Sequence, residues 1–394
     1  MKVLVVGNIH LVKDNNGNYY SSSVYSYDFF KRYLEVFDEV KLVGKTKLIS
    51  TVDLENYKRV NGPNIEIVPL PWYQGIKQMV RKLPELICIF RHVLDECDCC
   101  IFRIAQVESF FTYVFGNMKA LPYAVEVVND PETFTDMPFL FREFSTLMVK
   151  KMCKHAVAAS YVTKKFLQRK YPTKANFCTY YSSIELHQED IGPWANMFDG
   201  KSEFKIVHVS NSINSDIKGH YTVIKAAERV LNAGYKITVD FIGDGTKVEE
   251  YQKYIDKHLL GNNIHFIGKI SGRKQLLKLI SEYNLMVLPT KMEGLPRTII
   301  EAMAVGLPCI STPIAGVPEL LSADYLFAPD DDKAFADEIM HLINNPDELK
   351  IMSKANIKVA QEYTTDILTE RRNKMYLFLR ESCSFKIVCE NNED

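Results

Sequence analysis

The 394-residue sequence has no excess of either charge: 48 lysines and arginines face 49 acids, a net of −1. That balance excludes a chain built over its whole surface for nucleic acid. Long apolar runs are missing too. The longest uncharged stretch, Ala302 to Pro318, is broken by glycines and prolines and does not read as a membrane span. The start, MKVLVVGNIH, lacks the basic head, long apolar centre and small-residue cleavage site of a secretory leader. The nine cysteines are odd in number and scattered (Cys88, Cys97, Cys99, Cys100, Cys153, Cys178, Cys309, Cys383 and Cys389), so they form no disulfide framework and suggest a reducing compartment. Cys97 and Cys100 have CxxC spacing, but no second pair completes a zinc site, and free thiols are expected. No repeat or low-complexity tract is visible. A soluble, cytoplasmic protein is expected.

What is present is an α/β rhythm, repeated twice. The length suits two domains, and with 47% hydrophobic residues each can bury a core. Residues 2–6 form a β-branched run expected to end as a buried strand at Gly7, with a long polar loop after it. Runs at 39–44, 65–70, 99–104, 123–128 and 156–160 read as further strands, with helices between, which predicts a doubly wound parallel sheet. Polar residues with Gly and Pro at 186–203 suggest a linker. The rhythm then restarts with strands at 204–210, 236–243, 264–268, 285–289 and 307–312. The expected division is 1–185, linker 186–203, 204–365, and a helical tail 366–394 that could pack back on the first domain.

The stretch KMEGLPRTIIEAMAVGLPCIST, Lys291 to Thr312, holds two acids, Glu293 and Glu301. A strand ends at Thr290 and a helix is expected from Pro296, which suits a first helical position, to Gly306. Glu293 and Gly294 then lie at a sheet's carboxyl edge, where open sheets bind ligands, just ahead of a helix N-terminus that favours anions. The N–H groups of Leu295, Arg297 and Thr298 are free to meet a phosphate there, and Glu293 beside it suits hydroxyl donors such as a sugar offers. Ordinary roles also fit: Glu293 as an acid near a helix cap, Glu301 as an i, i+4 partner of Arg297. Three other loops share the edge. The loop from Ser210 leads to Lys218, a cation suited to a diphosphate. Gly243 and Gly245 make a tight turn that admits a ligand to the backbone, though without the third glycine of a dinucleotide fingerprint. Gly268, Lys269 and Ile270 form a loop whose backbone could pair with a nucleobase edge.

Together, EGLPRTIIEAMAVGLPCIST, the later GVPE, the upstream GDG, FIGKIS and KGH resemble the family-4 retaining glycosyltransferases of the GT-B fold, strongly over about 204–330. CDCCIFRIAQVES and PYAVEVVNDPETF are similar to members of bacterial surface-polysaccharide assembly. The resemblance implies two Rossmann-like domains facing across a cleft. Its donor is a nucleotide sugar (UDP-, GDP- or ADP-sugar) bound by the second domain, with no other cofactor and no metal. The acceptor is a saccharide or a lipid-linked saccharide, and no nucleic acid is involved. Glu293 would take the donor-sugar hydroxyls, Glu301 the ribose, Lys218 the diphosphate, Gly268 to Ile270 the base, and Gly17 would lie near the phosphate. The arginine common six residues before the lysine is Ser212 here, so Arg273 or Arg297 is the expected substitute. The usual histidine of the first domain is replaced by Asn129-Asp130, which with Glu293 and Lys218 are the catalytic candidates. Arg103, at a strand end, is the candidate on the acceptor side. Asp330 to Asp332 read as a helix start rather than a metal triad.

The charge is uneven. Residues 141–175 hold nine basic residues against Glu143, net +8. This suits an anionic membrane surface or a lipid-diphosphate acceptor, although a solvated helix face is the ordinary use of such a run. A nucleotide-sugar epimerase and a catalytically idle GT-B subunit remain as alternatives, while an NAD-dependent enzyme is excluded by the incomplete glycine fingerprint. The sequence gives no oligomeric state.

Overall fold

The computed structural model describes the chain except for residues 51–52, 54–55, 117, 119–120, 134–136 and 391–394, and except for the side chains of residues 76 and 384–390. Cys389 is thus outside the described side chains. Two compact units emerge, Met1–Tyr181 with Thr369–Asp394, and Ser182–Leu368.

In the first unit the chain runs β1 (Lys2–Lys13), β2 (Tyr19–Ser21), α1 (Tyr27–Leu34), β3 (Glu39–Leu48), β4 (Lys58–Arg59), β5 (Ile65–Pro71), α2 (Gly75–His92), β6 (Cys99–Ile104), α3 (Val107–Phe115), β7 (Tyr123–Val127), α4 (Phe139–His155), β8 (Ala158–Tyr161), α5 (Phe166–Lys170) and β9 (Phe177–Tyr180). The parallel strands lie in the order β5-β3-β1-β6-β7-β8-β9, and β2 and β4 add antiparallel to the far end of β1. Val3 to Val6 and Cys99 to Ile104 are buried on both faces of the sheet, which is why they read as unbroken apolar runs. The first strand does not stop at Gly7. A register shift between Val6 and His10 lets it continue to Lys13, with Ile9, Leu11 and Val12 buried. The expected polar loop is therefore a hairpin, and Gly17 is its turn residue, in the left-handed region at φ 83°.

In the second unit the elements are β10 (Phe204–Ser212), α6 (His220–Asn232), β11 (Ile237–Asp244), α7 (Val248–Lys257), β12 (Ile264–Gly268), α8 (Arg273–Ile280), β13 (Leu285–Leu288), α9 (Arg297–Ala304), β14 (Cys309–Ser311), α10 (Asp332–Asn344) and α11 (Pro346–Ala360). The sheet is parallel, in the order β12-β11-β10-β13-β14. The order reverses between β10 and β13, so the crevice at their carboxyl ends is the place where such sheets take ligands. Residues 186–203, expected as a linker, are packed into this unit. Trp194 is buried and its indole N–H donates to the Tyr283 carbonyl at 2.9 Å, Phe198 sits edge-on against Phe204, and Gly192 N–H donates to the Ala304 carbonyl. Two aromatic side chains leaving water outweigh the flexibility that the flanking Gly and Pro suggest.

The last helix, α12 (Thr365–Glu390), begins in the second unit and from Thr369 belongs to the first. There Tyr376 is fully buried, stacked on Tyr33, and Arg372 pairs with Glu35 at 3.1 Å.

Candidate functional site

The crevice between β10 and β13 is assembled by close backbone contacts. After β10 the chain makes a short turn over Asp216 to Lys218 and enters α6 through Gly219, at φ 74°. A Cβ on Gly219 would lie 2.2 Å from the Pro289 carbonyl oxygen. Only glycine lets the Lys218 loop lie against the end of β13. Lys291 N–H then donates to the Ile217 carbonyl at 2.8 Å, tying the two loops together.

This contact brings Lys218 onto Glu293. The Lys218 ammonium pairs with the Glu293 carboxylate and also donates to the Met292 carbonyl at 3.3 Å. The lysine side chain is 30% exposed and the glutamate 14%, so the pair stands at the surface of the crevice, partly desolvated. Beside it lies a three-residue ion cluster that the sequence does not announce. Lys291 holds Asp216 at 3.0 Å and Asp330 at 2.7 Å. Burial works against the Lys291 charge, but the two carboxylates outweigh it and raise its pKa. The available signal was its position two residues ahead of Glu293 in the same loop.

Gly294 is fixed from the other side, its carbonyl accepting from Gly316 N–H at 2.9 Å. This is the contact through which the later GVPE turn supports the loop. Pro296 is the N-cap rather than the first helical residue, at ψ 107°. α9 starts at Arg297, so the N–H groups of Arg297 and Thr298 fall in a first turn, where no partner exists within the helix. Leu295 is buried and Thr298 half-buried. Glu301, one turn in, is half-buried. Burial pushes its carboxyl pKa up, and the Arg297 and Arg273 charges only partly offset this. Among the described residues no ion pair joins Arg297 to Glu301.

Other expectations change. At Gly243 and Gly245 the close approach that requires glycine is to the protein's own backbone. A Cβ on Gly243 would be 1.8 Å from the Ser210 carbonyl oxygen, and one on Gly245 would be 2.5 Å from the Ile213 backbone. The GDG turn instead clamps the β10 loop, with Ile213 N–H donating to the Asp244 carbonyl at 2.9 Å. The Ser210 side chain is buried and turned to its own loop, donating to the Ser212 carbonyl. Gly268 ends β12 at φ 80°, with Lys269 exposed and Ile270 half-buried after it. Arg273 is already occupied: it holds Asp190 at 3.2 Å and donates to the Glu185 carbonyl. Both partners precede the sheet in sequence, about 80 residues or more before Arg273, so no local pattern links them to it. Asp331 caps α10, accepting from Ala334 N–H, as a helix-start acid does.

In the first unit Arg103 is not available to a ligand. It pairs with buried Glu126, which also accepts from Tyr33, Tyr181 (2.8 Å) and Tyr376 (2.7 Å). Burial alone would raise the Glu126 pKa; the guanidinium and the tyrosine hydroxyls outweigh it and lower the pKa. The reason is directional: Arg103 lies within β6, and its side chain enters the core instead of passing the strand end. Asp130 is likewise a loop anchor, buried, holding Lys170 at 2.5 Å and the Tyr171 hydroxyl at 2.6 Å. Asn129, just after β7, is exposed. Gly17 is accounted for by the hairpin turn.

Residues 197–359 match the family described as glycosyl transferases group 1. Over 97% of its length the chain superposes on all of sucrose-phosphate synthase from Thermosynechococcus elongatus, with a TM-score of 0.67 at 14% identity. The chain thus has the fold of the GT-B glycosyltransferases, and the group 1 match lies in its second unit. It is also similar in fold to Anabaena HepE, solved in complex with UDP and glucose (TM-score 0.63, 15% identity, 95% of this chain and 98% of that one). In sequence it is similar to protein CapJ of Staphylococcus aureus, 26% identical over 325 residues that make up 81% of each chain. The crevice described above thus lies within the matched group 1 glycosyltransferase region.

Proposed function

We propose that the chain is a retaining glycosyltransferase. It would move a sugar from a nucleotide sugar to a saccharide or lipid-linked saccharide acceptor, in polysaccharide or glycoconjugate assembly. The observation that carries this is the meeting of Lys218 and Glu293 at the crevice where the strand order of the second sheet reverses. A cation for the diphosphate and a carboxylate for sugar hydroxyls stand side by side, next to the first turn of α9.

In this mechanism the donor diphosphate takes Lys218 away from Glu293. The freed carboxylate then accepts hydrogen bonds from the donor sugar. Negative charge grows on the leaving β-phosphate as the glycosidic bond breaks. A lysine and backbone N–H groups already in place stabilise it without reorganisation and without a metal. Glu301 receives the ribose hydroxyls, and Gly268 to Ile270 border the base. The structural relative solved with UDP and glucose supports a UDP-sugar as the first donor to try. Arg297, exposed and free of ion pairs among the described residues, is the remaining candidate for the second diphosphate cation, since Arg273 is occupied.

The test is a panel of UDP-, GDP- and ADP-sugars with lipid-linked and free saccharide acceptors, reading nucleotide release and the anomeric proton of the product. One donor should be consumed with its anomeric configuration kept, and Glu293→Ala should abolish transfer while the fold persists. Inversion at the anomeric carbon refutes the retaining assignment, and normal transfer by Glu293→Ala refutes the role of that residue.

A further inference from the structure

Helix α4, Phe139–His155, has a largely exposed outer face, which the described chain touches only at one edge, where Phe144 meets Phe110 ring edge-on and Lys151 lies over the Tyr113 ring. Its inner face is ordinary: Ser145, Met148, Val149, Met152 and Cys153 are buried against the sheet. At about 100° per residue, Leu140, Phe144, Leu147, Lys151 and Lys154 form one line on the opposite side. The first three are large apolar side chains left in water, Leu140 at 80% exposure, Leu147 at 65% and Phe144 at 43%. Phe139, at 64%, and Met137, at 39%, extend the patch at the helix start. The line then changes character, and Lys151 and Lys154, with Lys150 beside them, continue it as cations. Among the described residues no carboxylate pairs with these three lysines.

Scattered exposed apolar residues are normal, but a contiguous group in one helix face marks an interaction surface. The kind of partner follows from the second half of the face. A protein partner's apolar groove would account for Leu140, Phe144 and Leu147 but not for unpaired lysines continuing the same line. An anionic lipid surface accounts for both. Apolar side chains enter the acyl boundary, while lysines a helical turn or two away reach phosphates through their flexible stems. No helix among the described residues is long and apolar enough to cross a membrane, so the contact is peripheral. We propose that the outer face of α4 docks the protein on an anionic lipid leaflet, with the Phe139–Leu147 half inserted and Lys150, Lys151 and Lys154 on the headgroups. This goes beyond the transfer reaction and does not depend on which sugar is moved.

The experiment is flotation of the full chain with vesicles of pure phosphatidylcholine or of phosphatidylcholine with 30% phosphatidylglycerol, at low and high salt. Leu140 and Leu147 lie outside the core, and circular dichroism and thermal melting establish that both variants stay folded before their binding is compared. Binding is expected with the anionic vesicles only, weakening as salt rises. L140S/F144S/L147S and K150A/K151A/K154A should each lower the partition coefficient about ten-fold or more. Turnover of a water-soluble acceptor should be unchanged in both variants, which separates this proposal from the catalytic one. No flotation of the native chain at low salt overturns it, and so does flotation of both variants at the native level. A dimer in analytical ultracentrifugation that L140S/F144S/L147S dissociates also overturns it, by assigning the face to a second copy.

Discussion

Replacing Glu293 with glutamine should move two affinities in opposite directions. In the ligand-free protein Lys218 is engaged by Glu293 and the Met292 carbonyl, so any diphosphate must first draw the ammonium off a carboxylate. The pair is partly exposed, 30% and 14%, so its net worth is that of a surface pair, at most about 1 kcal/mol. Glu293→Gln removes that competition and should tighten binding of the free nucleoside diphosphate by up to about five-fold. The intact nucleotide sugar has more to lose, because its hydroxyls would meet a weaker acceptor. A hydrogen bond to a charged group contributes about 1.5–3 kcal/mol, so donor affinity should fall by about two- to thirty-fold even after the gain at Lys218. Lys218→Met should weaken both ligands, by a similar factor. Titration calorimetry with the diphosphate and with a non-transferable donor analogue reads all four numbers. If Glu293→Gln weakens the free diphosphate as much as the nucleotide sugar, then Lys218 and Glu293 do not divide phosphate and sugar between them, and the reasoning fails.

Further outcomes can be measured independently. Gly243→Ala places a methyl 1.8 Å from the Ser210 carbonyl oxygen at a positive φ, which should cost about 3 kcal/mol or more; a calorimetric midpoint within 2 °C of native, against roughly 6–12 °C expected for a unit of this size, would falsify the clamp. His208 and His220 are fully buried and ring-to-ring at 4.5 Å under the Lys218 loop. Burial holds both neutral, with the pKa of His220 lowered to about 4. Their stability is present above the unfolded value of about 6.5 and is lost as pH falls toward 4, about 3 kcal/mol for His220 alone; His220→Phe should flatten the urea-measured stability between pH 6.5 and 4, and an unchanged slope counts against it. The raised Glu301 pKa has the reverse sign. The ionised form costs stability at neutral pH, so Glu301→Gln should raise the melting temperature while weakening donor binding, and a lowered melting temperature would show that the carboxylate is structural. Arg103→Ala leaves Glu126 charged and buried among tyrosines and should cost about 3–5 kcal/mol, seen as a large loss in chemical denaturation rather than as a change in acceptor KM.

The parts of the fold that were legible are those written in runs. Val3 to Val6, Cys99 to Ile104 and Leu285 to Leu288 are buried on both faces, and such strands are continuous in the sequence. Asn8 to Lys13 was hidden because a polar turn, NNGN, follows it and because its alternation of buried and exposed residues is interrupted by a register shift. Trp194 was hidden in a polar segment whose packing depends on Tyr283 and Asn284, far along the chain. In the site, the loop positions of Lys218 and Glu293 followed from their places at strand ends. Their direct pairing did not, because it depends on the left-handed Gly219 and its contact with Pro289. Arg103, Asp130 and Arg273 show the limit most clearly. A charged residue near a strand end looks the same in sequence whether it faces a ligand or a buried carboxylate.

A crystal structure of the protein with a bound nucleotide sugar tests the central claim most directly. The account predicts the diphosphate against the first turn of α9, the Lys218 ammonium moved from Glu293 to a phosphate oxygen, and the Glu293 carboxylate within hydrogen-bond distance of donor-sugar hydroxyls. A donor bound away from the β10–β13 crevice, or one bound there with the Lys218–Glu293 pair still closed, would contradict it.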